Sequence, residues 1–121
     1  MPNNNQQSVD LAVLRQLREI ASPHQVDELI DLFFDTLEQN LNSMRSAVEA
    51  REMTALARLA HGSKGTAAGM GATSLAELSR ELEGSAKRGM LEEVYLRFKQ
   101  MESEAQRIRQ IFGKEKTQPS T

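Results

Sequence analysis

Of the two histidines in this chain, His61 sits among residues that leave it open. A helical register over Leu56–Met70 places Leu56, Leu59, Ala60, Ser63, Ala67 and Met70 on one apolar stripe. His61 falls just off that stripe, with Lys64, Gly65 and Ala68 three, four and seven residues further along its own face. An imidazole there stands on an exposed flank with an ammonium one turn away, and its Gly and Ala neighbours put no bulk over it. That describes a nucleophile open to a large partner. A neutral imidazole supplies a nitrogen lone pair near physiological pH. A lysine one turn on can offset the charge of phosphate oxygens gathered at that nitrogen. Both residue types also have ordinary readings, a surface histidine and a solvated helix lysine.

Gly62 and Gly65 sharpen the question. Each costs about 1 kcal/mol against alanine in a helix interior, so two of them beside the histidine need a reason. Clearing space for another protein's surface is one; close packing against a neighbouring helix is another, and it stays open for Gly62. Glu83 enters through geometry. If this helix and the next form a hairpin turning near Ala72, residues equidistant from the turn lie side by side, and His61 and Glu83 are each eleven residues from Ala72. A carboxylate there could accept the Nδ1 proton of His61, fix the tautomer and leave Nε2 free to attack. The ordinary reading is a solvated glutamate. By the same measure Lys87 pairs with Ala57 and could reach a phosphate as an auxiliary contact.

The set Ala60-His61, Lys64-Gly65, Gly71-Ala72, Leu75, Leu78 and Leu82-Glu83 resembles the signature of histidine-containing phosphotransfer (HPt) domains. A lone His-x-x-Lys would mean little, but the whole spaced set is demanding. One departure is Ser63, at a core-side position where the family usually carries leucine or a similar apolar residue. The resemblance implies a four-helix bundle in which His61 accepts a phosphoryl group from a receiver-domain phosphoaspartate and passes it to another response regulator. It also implies a Glu or Gln at the Glu83 spacing that orients the histidine, and an open surface at Gly65. The partners implied are receiver domains and a hybrid histidine kinase, with the receiver bringing Mg²⁺ and most catalytic groups. On that picture the chain is a phosphocarrier, free-standing or a module of a hybrid kinase. The alternative is a helical adaptor that binds and sequesters a receiver or kinase without phosphotransfer.

Composition is consistent with this and removes other classes. At 121 residues the chain is sized for one domain, and its 39% hydrophobic content builds a lean core with four Phe, one Tyr and no Trp. There is no Cys, so disulfides and thiolate metal sites are excluded. A net charge of −2 gives no general attraction to nucleic acid. No apolar run suits a membrane span or a signal peptide, so a cytoplasmic protein is expected, and a monomer. Neither Glu-x-x-His nor His-x-x-x-His spacing occurs, which gives no support to a metal-binding bundle. Nor is there a glycine-rich phosphate loop of the nucleotide-binding kind, so the protein is not expected to use ATP itself. His24 reads as a residue of a helix's first turn.

The elements that must position His61 follow from periodicity. Residues 1–7 are polar and read as a disordered leader, and residues 8–112 as the bundle domain. A short helix is expected over Ser8–Ala21, with Leu11, Leu14, Leu17 and Ile20 inward. Ser22-Pro23-His24-Gln25 then carries a capping box with Pro at the first helical position. A long helix follows, to about Ala50, with Val26, Leu29, Ile30, Phe33, Leu37, Leu41, Met44 and Val48 as its stripe. After the histidine helix, Ser74 and Glu77 offer a second capping box, with a helical start at Ala72 or Thr73 as the alternative, for a helix ending at Lys87-Arg88-Gly89. The last helix is expected over Leu91–Phe112, with Leu91, Val94, Phe98, Met101, Ala105, Ile108 and Phe112 as its stripe, and residues 113–121 as a solvated, disordered tail. Nothing alternates with period two. The expected fold is all-α: an antiparallel four-helix bundle with a short additional N-terminal helix.

Overall fold

The computed structural model describes residues 8–116. The expected leader at 1–7 and the end of the tail, 117–121, lie outside them. The described chain forms α1 (Ala12–Ile20), α2 (Pro23–Glu49), α3 (Met53–Gly69), α4 (Thr73–Lys87) and α5 (Leu91–Glu115), with no strand among the described residues. α2 packs on α3, α3 on α4, α4 on α5, and α5 back on α2, which closes an antiparallel four-helix ring; α1 lies against α2.

Local chemistry sets the boundaries. α2 begins on the expected capping box: Ser22 Oγ accepts from the Gln25 N–H at 3.1 Å, and Gln25 Oε1 accepts from the Ser22 N–H at 2.8 Å. Three helices end in the same way, with a residue in the left-handed region just past the last turn: Arg51 (φ 55), Gly71 (φ 75) and Gly89 (φ 67). At each, the next N–H returns to the carbonyl five residues back, as when Ala72 N–H donates to Ala67 O at 2.9 Å.

The core joins Phe33, Phe34 and Phe112, stacked edge-to-face with ring centroids 5.1–5.8 Å apart, to a long run of Leu, Met, Val and Ala. α3 and α4 pack most closely. The buried positions of α3 are mostly small, namely Ala57, Ala60, Ser63 and Ala67 beside Leu56, which allows that approach. Ser63, the departure from the apolar pattern, is buried but not orphaned, since Asn40 Nδ2 donates to its Oγ at 3.5 Å.

Several expectations need correction. Ile20 is 83% exposed: steps of three residues walk about 60° around a helix each time, so from buried Leu14 the row has turned away by Ile20. Leu29 also faces solvent, while Phe34 and Ile111 join the core, because the buried faces of α2 and α5 are wider than one stripe. Of the two starts open to α4 the structure takes the earlier, at Thr73, so Ser74 lies inside the helix and no side chain caps it. Ser74 Oγ instead donates to Ser8 O at 3.3 Å and to Glu104. α5 runs on to Glu115, into the expected tail, where Arg18 pairs with Glu115 and, just beyond the helix, Lys116 with Asp31.

The hairpin turn that aligns α3 with α4 is anchored from outside. Asp10 N–H donates to Gly71 O at 2.7 Å, and the Val9 side chain is buried. Glycine is required at 71 on two counts. Its φ is left-handed, and a Cβ there would run into Asp10 O and the Val13 side chain.

Candidate functional site

α3 carries His61 on its outer flank with the side chain 65% exposed, while Glu83 of α4 is tucked between the helices at 13%. Both are eleven residues from Ala72, and the hairpin sets them side by side. His61 Nδ1 lies 3.2 Å and 3.3 Å from the two carboxylate oxygens. Lys87, one turn along α4, donates from Nζ to Glu83 Oε2 at 3.0 Å. The carboxylate is thus shared between an imidazole and an ammonium. Lys87 foremost, then His61, hold the Glu83 carboxyl below the usual carboxylate range, against the opposing effect of its partial burial.

An ionised carboxylate only accepts hydrogen bonds. A neutral imidazole meeting it at Nδ1 therefore carries its proton there, and the Nε2 lone pair is left free. Among the described residues nothing hydrogen-bonds to Nε2.

The remaining residues singled out in the sequence stand around this pair. Lys64, half-buried one turn on, makes no hydrogen bond or ion pair among the described residues. Its ammonium is available to a group arriving at His61. Gly62, Gly65 and Ala68 are exposed, and a Cβ added at either glycine would meet nothing within 4 Å. Neither glycine is therefore needed for close packing within the bundle. No trio of His, Asp or Glu among the described residues is placed to hold a metal ion.

One residue was not singled out in advance. Arg58, one turn before His61, lines a surface cavity of about 770 Å³ together with His61, Glu83 and Lys87. The sequence signal that could have found it is the absence of any carboxylate on α3.

This geometry can be set beside known proteins. No curated protein sequence matches the chain. Among solved structures, the crystal structure of histidine-containing phosphotransfer protein B from Pseudomonas aeruginosa is similar, with a TM-score of 0.83 and 36% identity over 89% of this chain and 93% of that one. The family model described as the Hpt domain matches residues 28–111, from early in α2 through most of α5, a span that takes in His61, Lys64 and Glu83. On these grounds the chain belongs to the Hpt domain family.

Proposed function

We propose that this chain is the histidine phosphocarrier of a phosphorelay, with His61 as the residue that carries the phosphoryl group. The supporting observation is the exposed imidazole held at Nδ1 by Glu83, with Nε2 free. The donor is a phosphoaspartate of a response-regulator receiver domain, docked on the face cleared by Gly62, Gly65 and Ala68. The Nε2 lone pair forms the new N–P bond as the acyl O–P bond breaks, and the aspartate carboxylate departs with that electron pair. The Nδ1 proton stays on the ring, where Glu83 stabilises the resulting imidazolium. Reversal toward a second receiver's carboxylate restores the neutral ring.

Lys64 and, as an auxiliary, Lys87 offset charge on the phosphoryl oxygens. Mg²⁺ and the remaining catalytic groups belong to the receiver, so the chain acts as a carrier more than an enzyme. A hybrid histidine kinase is the expected source of the relay, and a cytoplasmic monomer the expected form. No helix among the described residues is long and apolar enough to cross a membrane.

The test is incubation with a panel of phosphorylated receivers, following acid-labile label. Wild type is expected to take up label, and His61→Gln to fold normally and take up none. Label of that kind persisting on the variant would refute the assignment. Receiver binding without any label on wild type would favour a sequestering adaptor.

A further inference from the structure

α3 is electrostatically unusual. In a chain of net charge −2, residues 53–69 hold two cations, Arg58 and Lys64, and no carboxylate. The positions three and four away from Arg58 are Thr54, Ala55, His61 and Gly62, so its own helix offers it no partner. Arg80 and Arg107, by contrast, pair with Glu77 and Glu104 one turn before them. Arg58 is exposed and makes no hydrogen bond or ion pair among the described residues. Its charge is uncompensated.

The cavity beside His61 gives that charge a place to act. Every other α3 residue lining it, Met53, Thr54, Ala57 and Arg58, precedes His61, and Lys64 is not among them. This follows from helix geometry, since a helical side chain leans over the turn N-terminal to its own Cα. On α3, His61 is the last residue to line the cavity, so the cavity lies on its Arg58 side. The α4 side of the cavity brings two more cations, both engaged: Lys87 with Glu83 at 3.0 Å and Arg88 with Glu93 at 3.1 Å.

We propose that Arg58 is a phosphoryl-contacting residue, its guanidinium meeting the oxygens of the group on His61 Nε2 from the cavity side while Lys64 meets them from the other. The assignment rests on the reading of His61 as the phosphorylated residue. A phosphoryl group brings close to two negative charges and three acceptor oxygens to a flank where, among the described residues, the unpaired cations are Lys64 and Arg58. A planar guanidinium can engage two of those oxygens at once, which a lysine cannot.

The experiment uses phosphoramidate, a small donor with no docking surface, on the full chain and on Arg58→Ala, Arg58→Lys and His61→Gln. A nearby cation favours the more charged phosphoryl form. Arg58→Ala should therefore raise the phosphohistidine pKa, read by ³¹P NMR titration, by about half a unit at this solvent-exposed site. It should also slow label uptake on the order of threefold to tenfold. Arg58→Lys should restore most of the titration shift and less of the rate. Unchanged melting of Arg58→Ala is expected, because the side chain holds no partner. An unmoved titration and rate in Arg58→Ala would overturn the proposal. So would an unmoved titration with loss of transfer only from a receiver, which would make Arg58 a docking residue. Equal labelling of wild type and His61→Gln would instead refute the phosphorylated-histidine reading, and the Arg58 assignment with it.

Discussion

Gly65 offers a perturbation in which stability and function should move in opposite directions. A Cβ at 65 meets nothing within 4 Å, so a side chain there costs no repacking at its root. In a helix interior glycine is about 1 kcal/mol worse than alanine, and leucine lies within about 0.2 kcal/mol of alanine. Gly65→Ala should then add about 1 kcal/mol and Gly65→Leu about 0.8 kcal/mol. For a domain of this size each kcal/mol raises Tm by about 4 °C, which puts both variants roughly 3–4 °C above wild type. The leucine side chain, however, stands on the exposed face beside His61, where a receiver must approach. Transfer from a phosphorylated receiver should fall modestly for alanine and by at least tenfold for leucine, with labelling by phosphoramidate nearly unchanged in both. Thermal melts followed by circular dichroism, with stopped transfer reactions on the same preparations, measure the two quantities. A Gly65→Leu protein that melts earlier yet relays at the wild-type rate would refute the reasoning, because the glycine would then be serving the bundle.

Other residues give separate tests. Lys64→Ala should slow transfer about tenfold while receiver affinity holds, since its ammonium is expected to act on charge developing at His61; equal loss of both would make it a docking residue. Glu83→Ala should shift the His61 tautomer balance, read from the ring nitrogens by NMR, and slow transfer more than Glu83→Gln, whose amide oxygen still accepts from Nδ1. Because the folded-state pKa of Glu83 lies below its unfolded value, the unfolded chain binds this proton first as pH falls. The stabilisation is complete above the unfolded value, about 4, and is lost as pH drops through the folded one. The Tm gap between wild type and Glu83→Gln should close over that interval; a gap independent of pH would remove the charge argument. Gly71→Ala should cost ~2 kcal/mol or more, combining left-handed strain with displacement of Asp10 and Val13, and a melt within 1–2 °C of wild type would contradict it.

Much of the architecture is legible in the apolar spacing. α3 and α4 each bury a face that a period of 3.6 identifies, and equal distance from Ala72 suffices to bring Glu83 within 3.2 Å of His61. What the spacing does not carry is width and competition. Phe34 and Ile111 lie beside the stripe and are buried because two neighbours flank each long helix. Ser74 has the pattern of a cap, yet the tertiary partners Ser8 and Glu104 take its hydroxyl. Arg58 fits no short motif. Its significance rests on a cavity built from two helices and on carboxylates that are not there.

The anchoring of Gly71 by Asp10 acts as a lever. His61 and Glu83 lie eleven residues from the turn, an arm of about 16 Å at 1.5 Å per residue. A splay of only about 5° between α3 and α4 would separate the two side chains by a further 1.4 Å or so, and an error of about 1 Å can cost two orders of magnitude in rate. Among the described residues the segment before α1 touches neither side chain, yet its hydrogen bonds from Asp10 to Gly71 and from Ser74 to Ser8 hold the fulcrum from which both helices leave. A substitution that loosens the turn at Gly71 would therefore act on the histidine from the opposite end of the hairpin.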